Sequence, residues 1–192
     1  MKRTIYLQKL GELDRNILEK LKKRLKRALK DFVDAVEIAL EEFNLSDSDF
    51  DSSRKQYDAS SILNKLVTFK ESENRFRTLG IIDTDIFTGS YRFVFGVAKT
   101  PLKCVSKYSG VAIISLSRLR EEFYDRPENI KLFELRTLKE AIHEIGHTFG
   151  LDHCNNYCIM KFSNHLGDTD NKPPEFCERC LKELKNILKK TN

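Results

Sequence analysis

The sequence predicts a single α/β (α+β) domain with a twisted, mixed and mostly parallel sheet and helices packed against it. A chain of 192 residues falls within the size of one domain. It opens with a strand, a long helix and a second strand, and strand-like runs follow at short spacing, as in sheets of this class. Hydrophobic residues at 40% and charged residues at 33% exclude a membrane span and argue against wholesale disorder.

The individual elements follow from their apolar patterns. Thr4–Leu10 alternates like a strand, and Asp14 is placed to cap a long helix with Leu18, Leu21 and Leu25 on its apolar face. Further strands are expected at 33–40, 79–87, 91–98 and 111–116, and further helices at 60–69, 136–149 and 175–190. The polar segment 44–54 is expected to be an exposed loop, and no internal repeat or linker divides the chain.

The net charge of +5 comes from 34 basic and 29 acidic residues. The densest basic cluster, Lys20 to Lys30, falls on a helical period beside leucines, so it predicts a solvated helix face rather than a nucleic-acid partner. No signal peptide and no run of 18 apolar residues is visible, which predicts a cytoplasmic protein without a membrane contact. In a reducing compartment the five cysteines are interpreted as metal ligands or buried thiols.

Three of the four histidines lie between residues 143 and 153, in the pattern H-E-x-x-H-x-x-G-x-x-H. On a helix His143 and His147 share a face, so both imidazoles can bind one ion. Gly150 permits a left-handed turn at the helix end, after which His153 can return as a third ligand. Three protein ligands leave the fourth position of a tetrahedral zinc open, which predicts a catalytic zinc site.

Glu144 is the predicted catalytic residue of this motif. It follows His143 by one position, about 100° around the helix, close enough to contact a zinc-bound water. Zinc lowers the pKa of bound water to roughly 7 and polarises a carbonyl, while the glutamate takes the proton and passes it to the leaving amine. The motif therefore predicts a zinc-dependent enzyme that hydrolyses peptide bonds.

Four of the five cysteines follow the histidines directly, and they are Cys154, Cys158, Cys177 and Cys180. Their spacing, C-x3-C, eighteen residues and C-x2-C, is close to that of structural tetrathiolate zinc sites. A zinc ion in such a site has no open coordination position. It would connect the loop after the histidine-bearing helix to the last helix of the chain. Four reduced thiols in a core, or a redox pair at Cys177 and Cys180, are the alternatives.

Three other rare residues lie outside these ligand sets. Met160 follows His153 by seven residues, close enough to turn beneath the zinc ligands as a Met-turn does, although a lone methionine is usually core filler. Cys104 stands alone and is interpreted as a buried or idle thiol. His165 has no partner at ligand spacing, so a hydrogen-bonded or surface role is expected.

Together these residues resemble the archaemetzincins, a branch of the metzincin zinc peptidases. The resemblance rests on the histidine motif and on three pieces after it, which are Cys154, Cys158-Ile159-Met160 and Cys177-Glu178-Arg179-Cys180. The segments 79–85, 93–96 and 110–115 also look like the family. In the family pattern four residues separate the first two cysteines, whereas this chain has three, a departure that can alter the geometry of the cysteine loop.

The resemblance implies a compact metzincin-like fold in which residues 1–192 form one peptidase domain. Residues 1–150 would be an upper part with the sheet and the active-site helix, and 151–192 a small C-terminal subdomain with the Met-turn and the cysteine zinc site. Residues 111–117 would form the sheet edge along the cleft, where an extended peptide can pair with free backbone groups. Vertebrate members of the family act as aminopeptidases on short peptides, which implies the same activity here.

The leading prediction is thus a peptidase with a peptide substrate and two zinc ions per chain, one catalytic and one structural. An aminopeptidase also needs an anionic group for the α-ammonium of its substrate, and Asp83, Asp85 and Asp152 are candidates, but each is equally well a cap or turn residue. The alternative is a catalytically silent or latent peptidase-like module that binds peptides or proteins, against which the intact Glu144 argues. A nucleic-acid-binding zinc protein leaves the three histidines unexplained. A monomer is the default expectation.

Overall fold

The structure is a computed structural model that describes residues 2–72, 75–99 and 110–190. Each predicted strand and helix has a counterpart in it. In chain order the elements are β1 (Thr4–Leu10), α1 (Arg15–Ala28), β2 (Ala35–Ile38), β3 (Phe50–Asp51), β4 (Gln56–Asp58), α2 (Ala59–Ser72), β5 (Arg77–Ile82), β6 (Ile86–Phe87), β7 (Gly96–Ala98), β8 (Val111–Ser115), α3 (Ile130–Thr148), α4 (Leu166–Asn171) and α5 (Glu178–Lys190). Within the described residues no helix is both long and apolar enough to cross a membrane.

The central sheet has the strand order β2-β1-β5-β8-β7. The first four of these strands pair in parallel, whereas β7 runs antiparallel to β8, with Gly96 opposite Ile114. A second, smaller sheet joins β3, β4 and β6. The predicted class, a mixed and mostly parallel sheet with packed helices, is therefore confirmed.

The predicted edge strand at 111–117 is wrong, because β8 lies inside the sheet. Its five residues are all buried: Val111 and Ile113 belong to the core under α2, and Ala112 and Ile114 to the core under α1 and α3. A strand that is apolar on both faces requires cover on both faces, which an interior position provides. The edge is formed instead by β7, whose three residues are only partly buried.

Helix α1 shows why the basic cluster of the sequence is a solvated face. Asp14 caps the helix by accepting a hydrogen bond from the backbone N–H of Asn16, and the leucines of the predicted apolar face are buried. The opposite face carries the lysines and arginines. Among them Lys20 and Arg24 form ion pairs with Glu134 of α3, so part of the positive charge is neutralised within the chain.

Element boundaries differ from the predictions where side-chain contacts decide them. Segment 44–54, expected as a loop, contributes β3, and the run at 79–87 divides into β5 and β6. Helix α3 begins at Ile130 because Asn129 caps it, accepting a hydrogen bond from Leu132 N–H. The short helix α4 was not predicted. Cys104 lies outside the described residues.

Candidate active site

Helix α3 and the turn after it bring the three predicted histidines together. His143 and His147, one turn apart, have their Nε2 atoms 3.1 Å from each other. Gly150 has the expected left-handed conformation, with φ of 96°, and the chain returns so that a ring nitrogen of His153 lies within 4.8 Å of the other two. Nitrogens of two histidines in a tetrahedral zinc site are separated by about 3.3 Å, so this spacing fits zinc.

Backbone carbonyls fix the orientation of two of these rings. His143 Nδ1 lies 2.8 Å from the carbonyl oxygen of Ile159, and His147 Nδ1 lies 2.7 Å from that of Leu151. A carbonyl oxygen only accepts hydrogen bonds, so both Nδ1 atoms carry the proton and donate it. The Nε2 lone pairs are therefore left free for a metal, the arrangement found around metal-binding histidines.

The electrostatics of the cluster keep the imidazoles neutral, which is the form that binds a metal. Burial lowers the pKa of His143 well below its ordinary value, and the positive charge of Lys172 adds to this effect. Burial also lowers the pKa of His147 to about 4, although the Leu151 carbonyl opposes the shift. The pKa of His153 is lowered as well, by partial burial and by Lys172.

Glu144 lies against the edge strand β7. Its side chain packs on Gly96, where an added Cβ would be 2.6 Å from the glutamate Cγ, so only glycine allows this approach. Burial raises the pKa of Glu144 well above its ordinary value, and the neighbouring Glu140 adds to the shift, while Lys172 opposes it. A carboxyl group held in this way takes up a proton readily.

The histidines and Glu144 line one cavity of about 290 Å³. Residues 93–98, which include β7, form one wall, and Phe162, Ser163 and Asn164 form another. The Phe162 ring stands edge-on to the His153 ring, with 4.8 Å between the centroids. The cavity is therefore a partly aromatic cleft that runs along β7, the edge strand of the sheet in the described residues.

Met160 lies beneath α3 and fills the space next to Gly146. It is fully buried, and a Cβ on Gly146 would collide with the Met160 sulfur. The backbone N–H of Cys154 donates to the Met160 carbonyl oxygen over 2.9 Å, which closes a loop between the third histidine and this methionine.

The four cysteines of the motif also converge, with their sulfurs within 4.8 Å of one another. The Sγ atoms of Cys154 and Cys177 are 3.8 Å apart. Two sulfurs bound to one tetrahedral zinc lie about 3.8 Å apart, so the cluster fits zinc, and the short C-x3-C spacing does not prevent convergence. All four are free thiols, which disagrees with a disulfide between Cys177 and Cys180.

Hydrogen bonds to the sulfurs favour the thiolate at Cys177, whereas burial raises the pKa of Cys158 and of Cys180. Arg179 donates to the sulfur of Cys154 over 3.3 Å, and the Cys177 backbone N–H donates to that of Cys158 over 3.2 Å. Burial opposes ionisation of Cys177, but hydrogen bonds from the Cys180 backbone and from Asn156 outweigh it and lower the pKa of Cys177 to about 6. Thiolates are the form in which cysteine binds zinc.

The other candidate residues lie away from the cavity wall. Asp85 forms an ion pair with Arg118, and Asp83 forms one with Arg120, each with 2.7 Å between the closest atoms. Asp152 is exposed. His165 is exposed and caps α4 by accepting a hydrogen bond from Asp168 N–H, which confirms its expected surface role.

Several residues of the site were missed by sequence analysis. They are Gly96, Glu140, Phe162, Ser163, Thr169 and Lys172. Glu140 precedes Glu144 by four positions, so its location on the same helix face was readable from the sequence. The others reach the site through tertiary packing, for which the sequence carries no local signal.

Comparison with known proteins places this chain among the metallopeptidases. The profile of peptidase family M54 matches residues 5–186. The chain belongs to peptidase family M54, and the resemblance to the archaemetzincins is confirmed by its relatives.

The archaemetzincin of Methanocaldococcus jannaschii is 36% identical over 185 residues, which are 95% of this chain and 93% of that protein. The crystal structure of the archaemetzincin from Methanopyrus kandleri is 29% identical, with a TM-score of 0.82 over 98% of this chain and 96% of the other. A zinc-dependent peptidase from Methanocorpusculum labreanum is 31% identical, with a TM-score of 0.79 over 94% of this chain and 99% of the other. A zinc metallopeptidase is therefore the class that the fold and the site define.

Proposed function

We propose that this chain cleaves peptide bonds with a zinc ion held by His143, His147 and His153, and with Glu144 as the general base. The observation that carries the proposal is the convergence of three imidazoles, two of them oriented by backbone carbonyls, and a buried carboxylate on one cavity. Membership of a peptidase family supports peptides as the substrate. The name of the Methanocorpusculum relative, a zinc-dependent peptidase, supports the metal.

In this mechanism the chain orients the reactants and moves one proton. When bound, zinc would supply a Lewis acid for the scissile carbonyl and for a water molecule. Glu144 accepts the proton of the attacking water on a carboxylate oxygen and then donates it to the amine that leaves. Its raised pKa suits a group that must hold this proton between the two steps. His143 and His147 keep their orientation through the carbonyls of Ile159 and Leu151.

The edge strand β7 is the proposed docking site for the substrate backbone. In the described part of the sheet β7 pairs with β8 on one side only, and its residues line the cavity beside Glu144. An extended peptide can add to such an edge through main-chain hydrogen bonds. A cavity of about 290 Å³ is at the lower end of the range for ligand pockets, which favours a short substrate segment.

The second part of the proposal concerns the cysteine cluster and Met160. Cys154, Cys158, Cys177 and Cys180 would hold a second zinc ion with no open position, so this ion would be structural. Met160 would act as the Met-turn beneath the histidines. The chain would then hold two zinc ions in all.

We further propose that the enzyme is an aminopeptidase acting on short peptides. Its support is the archaemetzincin resemblance alone. Asp83 and Asp85, two candidates for binding the α-ammonium group of the substrate, form ion pairs with arginines instead.

The test is a cleavage screen with zinc-loaded protein and a peptide pool, half with free and half with acetylated N-termini, read by mass spectrometry. Loss of single residues from free N-termini alone is the expected result, and internal cuts in both halves would instead indicate an endopeptidase. Glu144→Gln should keep its zinc and lose about two to four orders of magnitude in rate. Cleavage by this variant at the wild-type rate contradicts the role of Glu144, and silence of the wild type favours the latent binding module.

A further inference from the structure

A second buried carboxylate, Glu140, lines the cavity beside Glu144. Both side chains belong to α3, and the four-residue spacing puts them on one helix face, about 6 Å apart along the axis. Glu140 is only 2% exposed, so its charge is almost completely removed from bulk water. Burying a carboxylate is costly unless partners compensate for it, which makes the contacts of this residue informative.

Among the described residues, two make polar contacts with Glu140, and both contact the same carboxylate oxygen. Thr169 Oγ1 donates a hydrogen bond to Oε1 over 3.0 Å, and Lys172 Nζ lies 2.9 Å from the same oxygen as an ion pair. Lys172 is itself 2% exposed and is not part of the cavity lining. Lys172 offsets the cost of burying the charge, but it leaves the second oxygen, Oε2, without a hydrogen-bond donor in the described part of the chain.

A further polar group without a partner lies in the wall of this cavity. Ser163 lines the cavity, and its Oγ atom is buried without a hydrogen-bond partner among the residues that the structure describes. Much of the remaining wall is aromatic, with Phe93, Phe95 and Phe162. A cleft with a partly aromatic wall thus includes a carboxylate whose second oxygen can accept a hydrogen bond from a ligand that brings N–H donors.

We propose that Glu140 binds a positively charged nitrogen group of the peptide, an ammonium or a guanidinium, close to the bond that is cleaved. The inference rests on the proposed function for the position of the peptide, because one helix turn separates Glu140 from the general base. An ammonium group can come from the substrate N-terminus or from a lysine, and a guanidinium from an arginine. If Glu140 served only to neutralise Lys172, the protein would not distinguish charged from uncharged peptides.

Binding to the zinc-loaded Glu144→Gln protein tests the inference without any turnover. The probes are short peptides with a C-terminal fluorophore that carry lysine, arginine or the uncharged norleucine at successive positions, each with a free or an acetylated N-terminus. We expect at least one cationic probe to bind about tenfold or more tightly than its uncharged counterpart, as for a hydrogen bond to a charged group. Adding Glu140→Gln should remove this difference. Glu134→Gln, on the same helix but outside the cavity, is the matched control and should keep it.

The arms of the experiment separate the two sources of charge. A preference that follows the free N-terminus assigns the α-ammonium group, and one that follows lysine assigns the side chain. Because Glu140→Gln leaves Lys172 buried without its counter-charge, Glu140→Gln with Lys172→Met is the second variant, and circular dichroism checks the fold of both. An equal preference with and without Glu140, or no preference in any arm, overturns the inference. Cleavage by the wild type is measured separately, so a failure of the proposed function is recognised on its own.

Discussion

The cysteine cluster begins at Cys154, the residue after His153 of the histidine cluster, yet the surroundings of the two clusters differ. The histidine cluster lines an open cavity, and its residues range from buried His143 to exposed His153. In the cysteine cluster three of the four residues are buried, and none of them lines that cavity. Three nitrogens facing a cleft leave room for a reactant, whereas four sulfurs facing one another do not.

Under the proposed function this difference separates two uses of zinc, one catalytic and one structural. A cluster that serves chemistry must expose one side of the ion, and its supporting contacts orient the ligands, as the carbonyls of Ile159 and Leu151 do. A cluster that serves stability encloses the ion and ties distant segments together. Here it joins the loop after α3 to α5. Substitutions in the two clusters should therefore have opposite signatures in activity and in thermal stability.

The largest expected effect is that of His147→Ala. Removing a ligand of the catalytic site should lower peptide cleavage by about three orders of magnitude or more and reduce the zinc content by one ion. The thermal midpoint should change by only a few degrees, because the cysteine cluster remains. Atomic absorption of the purified variant measures the zinc content, and calorimetry measures the thermal midpoint. Unchanged cleavage would show that the histidines are not the catalytic ligands.

Cys177→Ser should show the reverse signature. Losing the enclosed zinc should cost about 3 to 5 kcal/mol of stability, which lowers the midpoint by about 6 to 20 °C for a chain of this size. The histidine site can still fill, so cleavage measured well below the midpoint should fall less than in His147→Ala. Cys104→Ser, which removes a cysteine outside the motif, is the control. A zinc content equal to that of the wild type refutes the tetrathiolate site.

Gly96→Ala probes the contact between the edge strand and the base. The new Cβ would lie 2.6 Å from the Glu144 Cγ, so either the carboxylate or β7 must shift. We expect kcat/KM to fall by about ten- to a hundredfold with the zinc content unchanged, because orientation is lost and the metal is not. Gly167→Ala in α4, where the nearest atom belongs to the exposed His165 side chain, should be close to wild type. A fully active Gly96→Ala would mean that Glu144 tolerates displacement.

Arg179→Met should have the smallest effect, on metal retention alone. The guanidinium donates to the sulfur of Cys154 over 3.3 Å and offsets the negative charge of the thiolates. Without it, a chelator should remove the cysteine zinc about tenfold faster, as for other outer-shell partners. A chromogenic chelator follows the release, and Lys182→Met, an exposed cation of α5, is the control. Equal release rates in both variants would exclude a role for Arg179.

The sequence correctly predicted the parts of the molecule that local backbone geometry determines. Asp14 and the leucines of α1 predicted a capped amphipathic helix, and the structure has it. The spacing of His143 and His147 needs only one helical turn, and the left-handed Gly150 needs only a glycine, so their convergence follows from local rules.

The parts that depend on strand order and distant packing were not readable. β7 has three partly buried residues and no strong alternation, so its position at the edge is set by its pairing with β8. The apolar run of β8 suggested a strand but not whether that strand was interior. Thr169 and Lys172 reach Glu140 from beyond the active helix, a contact that only the folded chain creates.

The bond from the Cys154 N–H to the Met160 carbonyl has a consequence for how the metals are acquired. It closes residues 154–160 into a ring, and His153 is attached directly to that ring. Once the cysteines are fixed, the third imidazole explores only a small volume near His143 and His147, and its effective concentration at their ion is high. Filling the cysteine cluster first would therefore make the histidine cluster a pre-assembled chelate, so the two proposed zinc ions would load in a preferred order.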